Sequence, residues 1–290
     1  MSLVASVIPF SHSDLGEALL WDERIGCVIW ADVFKNRIYV WSSSEIAPKH
    51  YDFDSIVTSI AKRDSGGYAI AAGDAIQILD EEFKILRSIP LTHANPNVRT
   101  NDGSIDPQGN FWFGSMAYDG KDSQGELKMI SPDASIRVVK AGVTISNGMD
   151  WSPDGSIFYY IDTPTKTVSR FEYDASKSTL VRELQGFDVS ALSGAPDGMC
   201  VDSEGNLWVA FWGGGCVRKF SPSGVLLDEV KVDATLVTNC AFGGPGLSTL
   251  YITTAVPSYD ASITQREPLA GSLFCVGVDV SGRIQNNFKG

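Results

Sequence analysis

The chain has 290 residues, a formal net charge of −12 and a pI near 4.7, with 43% hydrophobic and 10% aromatic residues. Such an acidic balance disfavours nucleic acids and anionic membranes as partners, while the apolar content is sufficient for a large core. The cysteines number five, an odd count, and no C-x-x-C spacing occurs, which argues against a disulfide framework or a zinc ribbon.

The start of the chain is β-prone and carries no targeting signal. Residues 1–10 lack the basic region and the long apolar run of a secretory signal peptide. No apolar stretch approaches transmembrane length. We therefore expect a cytoplasmic protein. We also expect residues 4–8 to pair with strands from the C-terminal part of the chain, which would close a ring and remove exposed sheet edges.

From there onward, one block recurs along the chain. It consists of a turn rich in Asp and Gly, an apolar strand, a polar break and a second strand. The apolar strands are predicted at residues 27–30, 68–72, 111–116, 157–161, 207–212 and 250–254, and the strands that follow them at 37–41, 75–79, 125–130, 167–173, 217–220 and 272–276. The copies lie about 40 to 50 residues apart, the spacing of four-stranded propeller blades.

This repeat predicts an all-β fold, a six-bladed β-propeller in which residues 1–290 form a single domain. The polar residues that precede its apolar strands predict a metal site in the central channel. Four tryptophans lie in or beside the repeated blocks, and we expect them to pack in the core between blades. They are Trp30, Trp112, Trp151 and Trp208.

Polar, oxygen-bearing side chains precede the apolar strands of four copies. Glu17 precedes the first, Asn101 and Asp102 the third, Asn147 the fourth and Asp197 the fifth. We expect the loop leading into the innermost strand of each blade to open at one end of the channel, where these side chains would converge. Carboxylate and amide oxygens suit a hard divalent cation such as Ca²⁺, Mg²⁺ or Mn²⁺. Zn²⁺ is a less natural alternative because His and Cys ligands are lacking.

Turn chemistry is the competing interpretation of these motifs, because Asn-Gly and Asp-Gly are common tight-turn pairs. Two features favour a site. Asn147-Gly148 and Asp197-Gly198 occupy equivalent places in successive blades, and each is followed by a separate turn signal, at 153–155 and 203–205. Four other aspartates are assigned to turns and strand ends, namely Asp106, Asp150, Asp154 and Asp202.

Nucleophilic catalysis and nucleotide binding find little support. The three histidines, His12, His50 and His93, form no metal-spaced pair, and no G-x-S-x-G elbow occurs. A Ser or Cys nucleophile with a His base is therefore disfavoured. P-loop and Rossmann fingerprints are also lacking.

Several motifs, spread over nearly the whole chain, resemble the gluconolactonase/regucalcin (senescence marker protein) family. They lie at residues 99–103, 106–109, 114–116, 145–152, 196–199, 207–210, 242–244 and 268–271. Members of that family are six-bladed propellers that bind one divalent metal in the channel, and many hydrolyse sugar lactones. The resemblance implies Ca²⁺ as the first expectation for the metal, with Zn²⁺, Mn²⁺, Mg²⁺ or Fe²⁺ as alternatives.

Carried over by position, the resemblance implies metal ligands at Glu17, Asn147 and Asp197, and substrate contacts at Arg99 and Asn101.

A further implied substrate contact falls at Asp119, where some members have Glu. The first motif departs from the family pattern. The family reads Gly-Glu-Gly-Pro, then an apolar residue and Trp, whereas this chain has Glu17 followed by Ala18 and two leucines. The glutamate is retained, and the loop after it is not.

The leading functional hypothesis is metal-dependent hydrolysis of an aldonolactone to the aldonic acid. Asp197 would accept the proton of the attacking water, while Arg99 and Asn101 would orient sugar hydroxyls. One alternative is hydrolysis of another ester or an organophosphate with the same metal, and another is a calcium-binding regulatory protein with little turnover. The expected partner is a small-molecule sugar lactone, with no nucleic acid and no membrane, and we expect a monomer or a weak homo-oligomer.

Overall fold

The computed structural model describes residues 3–256 and 266–290. Its strands form six sheets, five of four strands and one of five. The all-β, six-bladed propeller predicted from the repeat is therefore confirmed. Within the described residues, no helix is long and apolar enough to cross a membrane.

Two strands precede the first blade, β1 (Leu3–Val4) and β2 (Ser6–His12). Blade 1 contains β3 (Gly16–Asp22), β4 (Cys27–Asp32), β5 (Arg37–Trp41) and β6 (Lys49–Asp52). Blade 2 contains β7 (Val57–Lys62), β8 (Tyr68–Ala72), β9 (Ala75–Leu79) and β10 (Ile85–Pro90). Blade 3 contains β11 (Val98–Ile105), β12 (Phe111–Ala117), β13 (Gly125–Ile130) and β14 (Ile136–Val143).

Blade 4 contains β15 (Ser146–Trp151), β16 (Ile157–Asp162), β17 (Thr167–Asp174) and β18 (Thr179–Asp188). Blade 5 contains β19 (Ala195–Val201), β20 (Leu207–Trp212), β21 (Cys216–Phe220) and β22 (Leu226–Lys231), with β1 at its outer edge. Blade 6 contains β23 (Val237–Gly243), β24 (Thr249–Thr254), β25 (Ser272–Gly277) and, outermost, β2. Short 3₁₀ helices also occur at Thr163–Thr165 and Pro245–Leu247.

The ring is closed by the N-terminal strands. β2 pairs antiparallel with β25, with Ser6 opposite Cys275 and Val7 opposite Phe274. β1 adds a parallel strand to blade 5, with Leu3 opposite Val230. The prediction that residues 4–8 pair with C-terminal strands is therefore confirmed, and two outer edges that would otherwise expose backbone groups are covered.

The first strand of each blade contacts the first strands of both neighbours, which places β3, β7, β11, β15, β19 and β23 around the central axis. The apolar strands predicted from the repeat are the second strands of the blades. One expectation was therefore wrong, because the polar side chains lie within the innermost strands and not in loops before them. The innermost strands contain polar residues that interrupt the apolar pattern of a strand. In the sequence these strands therefore look like loops.

Tryptophan side chains pack between neighbouring blades, as Trp112 does against Trp151 and Trp208 against Phe242, and aspartates of the same blade hold two of the indoles. Trp112 and Trp208 are buried, as are Trp30 and Trp151. The Trp112 indole donates to Asp106 at 2.9 Å, and the Trp208 indole donates to Asp202 at 3.0 Å. Asp106 also accepts from the backbone of its own turn, from Gln108 and Asn110 N–H. The predicted roles of these tryptophans and of these two aspartates are confirmed.

The last residues of the chain cross the far ends of the innermost strands. Arg283 donates to the carbonyl of Trp151 at 2.7 Å, and Asn286 donates to the carbonyl of Ile105 at 3.0 Å. The backbone N–H of Phe288 donates to the carbonyl of Lys62 at 2.8 Å. This C-terminal segment, residues 283–290, therefore spans several blades at one end of the channel.

Candidate active site

The candidate site lies at the opposite end of the channel, where the innermost strands begin. Register shifts interrupt strand pairing in β3 between Glu17 and Leu20, in β11 between Thr100 and Gly103, in β15 between Ser146 and Met149, and in β19 between Pro196 and Met199. Such bulges re-aim side chains and are common beside active sites. Glu17, Asn101, Asp102, Asn147 and Asp197 all fall at or within them.

The glycines of these motifs allow close approach between strands. A Cβ on Gly148 would lie 2.6 Å from the carbonyl oxygen of Asp197 and 2.8 Å from the backbone nitrogen of Met199. A Cβ on Gly198 would collide with the side chain of Asn239 in the next blade. Both glycines lie within strands and neither has a positive φ. The turn interpretation of the Asn-Gly and Asp-Gly pairs is therefore wrong.

Three carboxyl groups of this cluster have raised pKa values. Burial and the Asp102 carboxyl raise the pKa of Glu17 to about 8. Burial raises the pKa of Asp102 to about 6. Burial, followed by the charges of Glu17 and Asp102, raises the pKa of Asp197. Arg99 opposes these shifts at Glu17 and Asp197. The site therefore concentrates negative charge that protons or a cation would neutralise.

A row of hydrogen bonds links the site residues across three blades. Arg99 Nη1 donates to Asn101 Oδ1 at 2.8 Å, and Asn101 Nδ2 lies 3.3 Å from Asn147 Oδ1. Asn147 Nδ2 donates to Thr163 Oγ1 at 2.8 Å, and Thr163 Oγ1 donates to the carbonyl of Pro196 at 2.9 Å. The structure thus joins Arg99, Asn101 and Asn147, which the sequence analysis had singled out separately.

The predicted metal ligands supply two carboxylates and one amide oxygen, from Glu17, Asp197 and Asn147. This donor chemistry fits a hard divalent cation. The pKa values of the two carboxyls are raised first by burial and then by neighbouring carboxylates, whose charge a cation would compensate. Over residues 3–256 and 266–290, no group of three or more His, Cys, Asp or Glu side chains is placed to hold a metal ion. The metal site therefore stays a prediction.

Asp119 pairs with a lysine of its own loop. It is exposed in the loop after β12, and its carboxylate lies 3.0 Å from Lys121 Nζ. Burial lowers the pKa of Arg99, and the charges of Glu17, Tyr118 and Asp197 oppose that shift. The substrate contact of Asp119 stays a prediction.

Asn239 and Thr163 belong to the cluster and were not assigned from the sequence; Asp102 was noted there without a role of its own. Asn239 Nδ2 lies 3.5 Å from Glu17 Oε2, and a register shift between Val237 and Asn239 marks the blade 6 bulge. Neither Asn239 nor Thr163 is followed by glycine, the signal that marks Asn147 and Asp197. Aligning the starts of all six innermost strands would have found Asn239.

A cavity of about 70 Å³ extends from this cluster toward the C-terminal segment. Asp102 and Asn239 line one end of the cavity, and Arg283 and Gln285 line the other. The C-terminal segment therefore lines the end of this cavity that lies away from the polar cluster.

Comparison with known proteins identifies relatives along nearly the whole chain. Regucalcin of Danio rerio is 35% identical over 282 residues, which cover 96% of each protein. YvrE of Bacillus subtilis, a protein named as a sugar lactone lactonase, is 32% identical over 280 residues, 95% of each.

Solved structures agree with this relationship. A luciferin-regenerating enzyme superposes with a TM-score of 0.91 at 29% identity over 99% of both chains. A regucalcin from Agrobacterium tumefaciens, described as a calcium-binding protein, superposes with a TM-score of 0.93 over 100% of this chain and 98% of that one. At 24% identity, the latter likeness shows the fold alone.

The model of the SMP-30/Gluconolactonase/LRE-like region matches residues 15–256, which include the first strands of all six blades and every residue of the cluster. The family resemblance noted in the sequence is thereby confirmed. This chain belongs to the SMP-30/gluconolactonase/LRE-like family.

Proposed function

We propose that this protein hydrolyses a sugar lactone to the aldonic acid, with one divalent cation held by Glu17, Asn147 and Asp197. One observation carries the proposal: the partly buried Glu17 and the buried Asp197, both with raised pKa values, interact with Arg99 in a channel that the C-terminal segment crosses at its far end. Membership of the family, and a relative named as a sugar lactone lactonase, support the same reaction class.

A divalent cation at these ligands would polarise the lactone carbonyl and stabilise the charge that develops on its oxygen. Ca²⁺ is our first choice because the ligands are all oxygen atoms and include an amide. Mn²⁺, Mg²⁺, Zn²⁺ and Fe²⁺ are the alternatives, and the lactone hydrolysis that each supports should be compared with that of Ca²⁺.

Asp197 is the proposed general base. Its side chain is buried among the proposed ligands, where the ionised carboxylate can accept a proton from a water held at the cation. It takes a proton from the water that attacks the carbonyl carbon. The ring C–O bond then breaks, and the departing oxygen gains a proton to become a hydroxyl.

Arg99 and Asn101 are the proposed substrate contacts. Arg99 Nη1 is held by Asn101 Oδ1 at 2.8 Å and by the carbonyl of Thr100 at 3.0 Å. These contacts orient the planar guanidinium. Its other N–H groups do not take part in these two bonds, and we expect them to bind sugar hydroxyls. We expect this pair to determine which lactone binds.

The first experiment measures acid release from five- and six-membered aldonolactones by metal-stripped protein, before and after single divalent metals are added. We expect activity only with metal, differing among sugars. Asp197→Ala should abolish the activity and keep the fold, as judged by circular dichroism. Asp228→Ala, an exposed aspartate on β22, is the matched control and should remain fully active.

Full activity of Asp197→Ala would overturn the assignment of the base. If no lactone is hydrolysed above the spontaneous rate with any metal, the lactonase proposal fails. Phosphotriester turnover would then identify an organophosphate hydrolase, and tight Ca²⁺ binding without turnover would identify a calcium-binding protein.

A further inference from the structure

The hydrogen-bond row through the site has a definite direction, because both of its ends are chemically unambiguous. The guanidinium of Arg99 can only donate, and the carbonyl of Pro196 can only accept. Every group between these two ends must therefore accept on the Arg99 side and donate on the Pro196 side.

The amide of Asn101 follows this rule. Its Oδ1 accepts from Arg99, so its Nδ2 faces blade 4, where it donates to the carbonyl of Ser146 at 2.7 Å and approaches Asn147 Oδ1 at 3.3 Å. Asn147 Oδ1 thus faces Asn101 Nδ2, a hydrogen-bond donor.

Thr163 determines the other end of the Asn147 amide. A hydroxyl has one hydrogen to donate, and that of Thr163 goes to the Pro196 carbonyl at 2.9 Å. Its oxygen can then only accept, so the group facing it at 2.8 Å must be Asn147 Nδ2. This contact turns Asn147 Oδ1 away from Thr163, and only that oxygen can bind a cation.

The position of Thr163 is itself defined by the backbone. Its N–H donates to the carbonyl of Ile145 at 3.1 Å, at the start of the 3₁₀ helix Thr163–Thr165. Its hydroxyl also joins blade 4 to blade 5 directly before Asp197, because Pro196 is the preceding residue. The Thr163 side chain therefore contacts one proposed ligand, Asn147, and the residue that precedes another, Asp197.

We infer that Thr163 is a positioning residue for the metal centre: it holds the Asn147 amide with its oxygen toward the channel and ties that strand to the one that carries Asp197. This inference rests on the proposed function only in taking Asn147 and Asp197 as ligands. Thr163 itself does not contact the cation or the substrate.

The test is calorimetric titration of metal-stripped protein with CaCl₂ and, separately, with MnCl₂. Thr163→Val keeps the shape of the side chain and removes the hydroxyl, and we expect metal affinity to fall by about 10-fold or more. Thr163→Ser restores the hydroxyl and should bind within about 3-fold of wild type. Thr165→Val is the matched control, since the hydroxyl of Thr165 donates to the carbonyl of Asp162 outside the row.

The melting temperature of each variant in EDTA separates positioning from stability. A merely structural role would lower the melting temperature of Thr163→Val and leave its metal affinity unchanged, and that result would overturn the inference. Failure of the wild type to bind either metal would overturn it together with the metal site. Wild type that binds metal but hydrolyses no lactone, with the predicted loss in Thr163→Val, would refute the lactonase proposal and support this inference.

Discussion

Gly148 packs directly against Asp197 of the neighbouring blade, so closely that a methyl group at position 148 would lie 2.6 Å from the Asp197 carbonyl oxygen. The glycine of the Asn-Gly pair is thus required by its neighbour and not by its own backbone angles. It allows the strand that carries Asn147 to approach the strand that carries Asp197.

Gly148→Ala should therefore damage both stability and the site. We expect unfolding to become easier by about 1–3 kcal/mol, because the backbone of β19 must shift to admit the methyl group. Gly277→Ala is the control, since a Cβ there meets nothing within 4 Å. Urea unfolding and metal titration of both variants test this, and equal behaviour would contradict the close-approach explanation.

Arg99→Ala should raise KM for the lactone by roughly 10- to 100-fold, because a charged hydrogen bond to substrate is lost. Its metal affinity should not fall, since a positive charge beside the cation is removed. Arg99→Lys keeps the charge but lacks the planar guanidinium, and its KM should lie between those of wild type and Arg99→Ala. A fall in metal affinity with unchanged KM would show that Arg99 supports the ligands and does not contact the substrate.

The metal-free protein should lose stability as pH rises, and Glu17 should account for part of this loss. The pKa of Glu17 is raised from 4.5 to about 8 in the fold, so the folded state holds this proton more tightly than the unfolded state does. Stability from this group is complete below pH 4.5 and declines as pH rises toward 8. Glu17→Gln should flatten the decline.

The measurement is melting temperature in EDTA from pH 5 to pH 8.5. The advantage of Glu17→Gln over wild type should grow with pH, and added Ca²⁺ should raise the melting temperature of wild type alone. Parallel pH curves for the two proteins would show that the Glu17 carboxyl titrates as an ordinary glutamate.

Ala18 has a φ of 55°, a left-handed conformation that suits glycine. Ala18→Gly relieves about 1–2 kcal/mol of strain, which offsets roughly 0.5–1 kcal/mol of backbone entropy and about 0.8 kcal/mol for the buried methyl group. We expect no loss of stability. Ala31→Gly, at a buried extended position in β4, should lose about 1–2 kcal/mol. Equal losses in thermal unfolding would show that the Ala18 backbone is unstrained.

Phe288 should contribute strongly to stability although it lies near the end of the chain. It is 1% exposed and its ring centroid lies 6.2 Å from that of Phe111. Phe288→Ala should cost about 3–5 kcal/mol in urea unfolding, whereas Ile284→Ala, at a residue 58% exposed in the same segment, should cost little. Equal effects would indicate that the C-terminal segment does not pack as described.

The fold could be predicted from the sequence because each blade repeats the same local signals. Strand-forming residues and Asp-Gly turns recur at a regular spacing, and the strands β5, β8, β9, β13 and β20 have the predicted bounds. The buried roles of Trp112 and Asp106 follow from one such repeated unit. The C-terminal segment has no such pattern, since its position depends on contacts with residues more than a hundred positions away, such as Arg283 with Asp150.

The site was predictable only where a local motif marks it. Asn147 and Asp197 were found because glycine follows each of them, and the structure shows that the glycine serves the packing. Asn239 and Thr163 have no such neighbour, and their roles arise from contacts between blades. Asp119 lies in an exposed loop, where side-chain direction varies, so its assignment rests on its sequence position alone and stays a prediction.

The outermost strand of blade 6 consists of residues from the beginning of the chain. At this closure the backbone N–H of Leu273 donates to Ser11 Oγ, 262 residues away, at 3.0 Å. During synthesis β2 leaves the ribosome early and stays unpaired until its partner strand, β25, has been made. Contacts of such long sequence separation slow folding, so the last blade, and with it the geometry of Glu17 beside Asn239, is expected to form only at the end of translation.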